Sequence, residues 1–150
     1  MSRIIIPLFV LLILFSACST LKLEPADFAW PLESVLKVDD NGSVKDDRYS
    51  FSFDTRGLFF AENNDSLSYK DKNVRILRDK KGYYFMTSNK FKNVYVFEVA
   101  DGALQLKNKI FISEFGIADP AFNQRPPNVE LIDGGKSLYL DNNGIVREQE

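Results

Sequence analysis

Val94-Tyr95-Val96-Phe97-Glu98-Val99, then Ala100-Asp101-Gly102, then Ala103-Leu104-Gln105-Leu106-Lys107 is the stretch that decides the fold. Its first six residues are β-branched or aromatic almost throughout. That composition predicts a central strand buried on both sides. Asp101-Gly102 tolerates the positive φ of a tight turn, and an apolar-x-apolar pattern resumes after it. The unit reads as a β-hairpin.

Working outward, the dominant period stays at two. Leu36 and Val38 alternate with Val35 and Lys37; Phe51 and Phe53 share a face; Leu58 and Phe60 are expected to share another. Ile110-Phe111-Ile112 and Leu138-Tyr139-Leu140 resemble the central run. Turn chemistry separates these segments at 39–42 (DDNG), 79–82 (DKKG), 100–102 (ADG), 133–135 (DGG) and 141–144 (DNNG). Asn41-Gly42 and Asn143-Gly144 are the strongest hairpin signals among them. No 12-residue window beyond the N-terminal apolar run sustains a helical stripe. The expected fold is all-β, an antiparallel meander of about eight to ten short strands with little helix. It can close as a sandwich, a small barrel or a single curled sheet.

Residues 113–128 (SEFGIADPAFNQRPPN) interrupt this rhythm. Asp119-Pro120 fits a helix N-cap and first position, and Pro126-Pro127 is a rigid pair. A connection of this length is expected to be functional or disordered, and its apolar content argues against disorder. Two readings stay open for Phe115, Ile117 and Phe122. They close the open end of the sheet, or, with Arg125, they form a partner-contact surface.

The N-terminus has a different character. Arg3 precedes an apolar run from Ile4 to Phe15, and small residues Ser16 and Ala17 lead into Cys18. This is the charged, apolar, small-residue order of a secretory signal. The run is about half the ~20 residues a membrane-spanning helix needs, and Pro7 interrupts it. Phe15-Ser16-Ala17-Cys18 resembles the lipobox of bacterial lipoproteins, with Phe15 where leucine is usual; the resemblance covers residues 1–19 alone. It implies cleavage before Cys18, diacylglycerol and an N-acyl chain on that residue, and, with Ser19 rather than aspartate following, sorting to the outer membrane. Two or three acyl chains make attachment effectively permanent, whereas one gives only marginal binding. The organisation expected is a signal peptide over 1–17, a lipidated tether over 18–27 and a single β-rich domain over 28–150. Pro25 is placed to open one helical turn through Phe28, ended by Pro31. Trp30 between them is read as a plug at one end of the domain, or as a ligand-stacking ring.

Composition narrows the chemistry. With Cys18 as the one cysteine, no intramolecular disulfide forms and stability must come from packing. Of the 13 Phe, only Phe9 and Phe15 fall in the leader, which leaves a heavily aromatic domain. The net charge is −2, with both signs interspersed and no polybasic block, so nucleic acid is not an expected partner. The basic group Arg75, Arg78, Lys80 and Lys81 reads as a solvated hairpin tip or as a contact for anionic lipid or polysaccharide.

The chain contains no histidine, which removes Ser-His-Asp, Cys-His and HExxH chemistry. Gly134-Gly135-Lys136-Ser137 lacks the upstream glycine of a phosphate loop. Neither DDNG nor DNNG meets EF-hand spacing, so no metal and no cofactor is expected. A two-carboxylate hydrolase is compatible with the composition, but nothing singles out a pair, and most acids lie in turns that use their backbone-bonding ability.

The leading expectation is a lipid-anchored, non-enzymatic binding or scaffolding domain of the bacterial envelope, contacting the membrane through Cys18 and an envelope protein through the 113–128 region. The first alternative is a lipocalin-like carrier whose barrel interior (Phe51, Phe53, Tyr83, Phe85, Tyr95, Phe97) holds one small apolar ligand. The second is a carboxylate-based envelope hydrolase.

Overall fold

The computed structural model describes residues 29–149. The leader, Cys18, the tether and the turn expected over Pro25–Phe28 lie outside the described residues. Eleven strands form three antiparallel sheets, and none closes into a barrel. They are β1 (Ser34–Lys37), β2 (Ser43–Asp46), β3 (Phe51–Asp54), β4 (Asn73–Arg78), β5 (Tyr84–Thr87), β6 (Asn93–Ala100), β7 (Ala103–Phe111), β8 (Pro120–Arg125), β9 (Asn128–Asp133), β10 (Lys136–Asp141) and β11 (Gly144–Gln149). The fold class matches the sequence reading, with the barrel option removed.

The large sheet has the order β1-β4-β5-β6-β7 and the smaller one β11-β10-β9-β8; β2 and β3 pair as a separate hairpin. The pairing register sorts the large sheet into two faces. Leu77, Phe85 and Val96 align across one face, with Val94 and Ile110 beside them. The four-stranded sheet covers this side: β8 runs against β4 and β11 against β7. It brings Phe122, Leu131, Val129 and Leu140, all buried, into the interface. The second face carries Ile76, Met86 and Tyr95, and further along Tyr84, Phe97, Val99, Leu104 and Leu106. Among the described residues, the β2-β3 hairpin and one helix, α1 (Arg56–Asn63), are the elements that lie over it.

That helix corrects the expected strand face of Leu58 and Phe60: Leu58 and Phe59 are buried and Phe60 is exposed. Two turns are too short to show as a periodic stripe, and its stop signal is local, with Asn64 left-handed and donating its N–H to the Phe60 carbonyl at 2.8 Å.

All five expected turns are present, and glycines 42, 82, 102, 134 and 144 have positive φ there. Aspartates hold three of them. Asp39 Oδ1 accepts from the Asn41 and Ser43 N–H groups, Asp79 Oδ1 from Lys81 and Tyr83, and Asp141 Oδ1 from Asn143 and Gly144. Burial pushes the Asp79 carboxyl above its usual range, against the pull of those N–H bonds.

The 113–128 region is not one long connection. Asp119-Pro120 opens no helix; Pro120 begins β8, and the cis Pro126-Pro127 pair sits in the β8–β9 turn. The true connection is 112–119, and topology dictates its length. It must carry the chain from β7, at one edge of the large sheet, across to β8, which lies against β4 near the other. On the way it bonds to the turn after β5: Lys90 N–H donates to the Ile117 carbonyl and Ile117 N–H to the Phe91 carbonyl, both at 2.8 Å. Gly116 (φ +82°) lies so near that a Cβ there would stand 2.6 Å from the Lys90 carbonyl oxygen. Glu33 ties the two sheets at the other edge, accepting from Arg75 at 2.5 Å and from the Phe122 backbone N–H at 2.9 Å. That occupies a main-chain donor on the edge strand β8.

Candidate functional site: an apolar cleft over the large sheet

Of the expected contact residues, Ile117 is 0% and Phe122 2% exposed, so they belong to the core. Ile117 anchors the crossing segment where it passes the end of the sandwich, and Phe122, on β8, packs between the two sheets. Phe115 alone keeps the apolar exposure of the partner-contact reading, at 93%. Arg125 is solvent-facing and pairs with Glu130 at 3.1 Å. The four residues do not make one surface.

What the structure brings together instead is a cleft of about 670 Å³ on the second face of the large sheet. Phe51 and Phe53 of β3 form one wall, Gly57, Leu58 and Ala61 of α1 another, and the floor is Tyr84, Met86, Tyr95, Phe97, Val99, Leu104 and Leu106. Its volume lies within the range of small-molecule sites, and its lining is predominantly apolar as theirs is. Val99 and Leu106 remain 59% and 56% exposed at its margin.

The cleft exists because its cover is short. The β6-β7 hairpin runs on to Ala100 and Ala103, while the β2-β3 hairpin has four-residue strands and α1 only two turns. Neither reaches over the distal half of β6 and β7. The central-strand expectation therefore holds for Val94 to Val96, buried on both sides, and fails toward Val99.

Both covering elements are fixed. Trp30 stacks on Tyr49 (centroids 3.8 Å apart) and on Phe51 (5.3 Å), and meets Tyr84 edge-on at 5.6 Å. Each such pair contributes about 0.5–1.5 kcal/mol beyond burial. Trp30 is thus a packing plug, and it braces two cleft residues from behind. The helix is held by Glu62, whose carboxylate accepts from the Tyr95 hydroxyl at 2.7 Å, the Asn93 amide at 2.9 Å and the Lys92 backbone N–H. Burial, reinforced by the Glu62 bond, pushes the Tyr95 phenol far above its usual range. Two polar groups at the cleft edge are engaged, Tyr95 by Glu62 and Asp54 by Arg56, whose guanidinium holds that carboxyl below its usual range, while the Ser52 hydroxyl also lines the space.

Four of the six aromatics assigned to a carrier interior do line this space: Phe51, Phe53, Tyr95 and Phe97. Phe85 and Tyr83 do not, because β5 alternates and puts Tyr84 and Met86 on the cleft side. The cavity is an open cleft between layers, not a barrel lumen. Compared with known protein families, curated proteins and solved structures, the chain matches none.

Proposed function

We propose that the protein is a non-enzymatic binding protein of the bacterial envelope, held at the outer membrane by acyl chains on Cys18, and that the cleft is its binding site. The cleft carries this reading. An exposed apolar surface of this kind is costly unless something covers it, and each methylene a ligand buries there contributes about 0.8 kcal/mol. The rigid brace of Trp30, Tyr49 and Glu62 keeps the walls apart in advance, which lowers the ordering cost of binding. The geometry favours the small apolar ligand over a protein scaffold, since Ile117 and Phe122 are internal and the exposed Phe115 and Arg125 share no common surface with them. Asp39, Asp79 and Asp141 hold turns, and Asp54, Glu62 and Glu130 have partners, so nothing singles out a carboxylate pair for the hydrolase reading.

Native mass spectrometry of the protein released from the envelope tests this. A co-purifying small apolar molecule, lost when Leu106 is replaced by Lys, is the expected result. A uniformly clean apo mass, with no uptake of added hydrophobic ligand, would count against it. The anchor is tested separately by palmitate labelling, expected to vanish in Cys18→Ser.

A further inference from the structure

The cleft has a direction. Trp30 N–H donates to the Arg78 carbonyl at 3.0 Å, so the chain enters the domain at the end of the large sheet where β4 turns into β5. The same end carries the exposed Lys80 and Lys81 and the Ala100–Ala103 turn of the β6-β7 hairpin. Val99, Gly102, Ala103 and Leu104 line the cleft there, and Val99 also borders the groove that holds Lys81. The opposite end bears the 88–92 turn and the 112–119 crossing. Residues 18–30, at most roughly 40 Å when fully extended, therefore join Cys18 to the lysine-bearing end of the sheet.

We infer that the cleft takes the linear acyl chain of an anionic membrane amphiphile, entering tail-first at this mouth with its headgroup beside Lys80 and Lys81. This deepens the binding-site reading above and rests on it. Two observations select this occupant. Of the edge groups suited to directional recognition, Tyr95 and Asp54 are already engaged internally, which leaves the Ser52 hydroxyl in a predominantly apolar lining, so the cleft selects for apolar length more than for a hydrogen-bond pattern. Lys80 and Lys81 lie at the mouth, where a charged headgroup would remain in water and where Glu98 is paired with Lys107 at 3.4 Å, whereas the cations along the walls are already engaged, Arg56 by Asp54 and Lys109 over the Tyr95 ring at 5.4 Å.

Trp30 is the only tryptophan, and it touches two lining residues, Phe51 and Tyr84. Its emission therefore reports an occupant carrying a heavy-atom quencher. The acylated full-length mature protein, in nanodiscs of unbrominated neutral lipid, is titrated with dibromostearate. Saturable quenching is expected, competed by octanoate, decanoate and dodecanoate with affinity rising about fourfold per methylene. Gly57→Leu fills the cleft from α1, where an added Cβ has no heavy atom within 4 Å, and it improves helix propensity. This variant should keep the melting temperature and lose the saturable phase. Replacing Lys80 and Lys81 by Glu should weaken dibromostearate several-fold and leave the matching brominated alcohol unchanged.

Linear, non-saturating quenching in the native protein, or a saturable phase that survives Gly57→Leu, overturns the inference. Equal loss for acid and alcohol overturns the headgroup placement. If quenching fails while native mass spectrometry finds a compact, non-chain ligand abolished by Leu106→Lys, the binding site stands and the acyl assignment falls. If palmitate labelling fails while quenching persists, the anchor falls and the cleft assignment stands.

Discussion

The two faces of the large sheet use the same strands to opposite ends. On one, Leu77, Phe85, Val94 and Val96 meet a four-stranded sheet that spans from β4 to β7, and all four are fully buried. On the other, Tyr84, Phe97, Val99, Leu104 and Leu106 meet a hairpin and a helix too short to cover them. Both faces are apolar. What differs is the length of the element laid over each, so an apolar strand face guarantees neither a sealed core nor a site. The opposing layer decides.

Unfolding in urea should separate the faces most sharply. Phe85→Ala on the sealed face is expected to cost about 3–5 kcal/mol, while Leu106→Ala on the open face should stay within about 0.5 kcal/mol. Comparable costs would mean the cleft is closed in solution. The same contrast holds within the crossing connection: Ile117→Ala should lose about 2–5 kcal/mol, and Phe115→Ser, two residues away, almost nothing. Gly116→Ala between them is expected to cost about 1–3 kcal/mol from strain at positive φ and the Lys90 contact.

A smaller effect comes from the pin under the open face. Removing the Glu62 carboxylate as Glu62→Ala leaves three donors short of their acceptor, for a loss of about 1–3 kcal/mol. The phenol of Tyr95 adds a pH signature. Its folded pKa is raised, so the folded state holds that proton more tightly than the unfolded chain does. The stabilisation is therefore complete below the unfolded value of about 10 and declines as pH rises from there toward the folded one. Denaturant midpoints measured across that window should fall in the native protein, and the part due to this group should be absent in Tyr95→Phe.

Most of the β-architecture was legible because it rests on local signals. Period-two runs and Asp/Asn-Gly turns are properties of a few neighbouring residues, and all five expected turns formed. The strand over Leu58 and Phe60 proved to be a helix because eight residues offer too little length for a 3.6-residue period to stand out from alternation. The connection after β7 is shorter than the expected 113–128 for a non-local reason. Its length comes from the distance between β7 and β8, and that distance is set by which strand ends up facing which. The cleft was half legible: the aromatics of β3 and β6 were named, but not their opening to one side. Neither the shortness of the cover nor the parity that swaps Phe85 for Tyr84 can be read without the register.

Methyl- and aromatic-labelled NMR during titration with decanoate tests the open-face claim most directly. Shift changes should be confined to Leu58, Tyr84, Phe97, Val99, Leu104 and Leu106 while Leu77, Phe85, Val94 and Val96 stay fixed. Changes shared equally by both faces, or none at saturating chain concentrations, would contradict it.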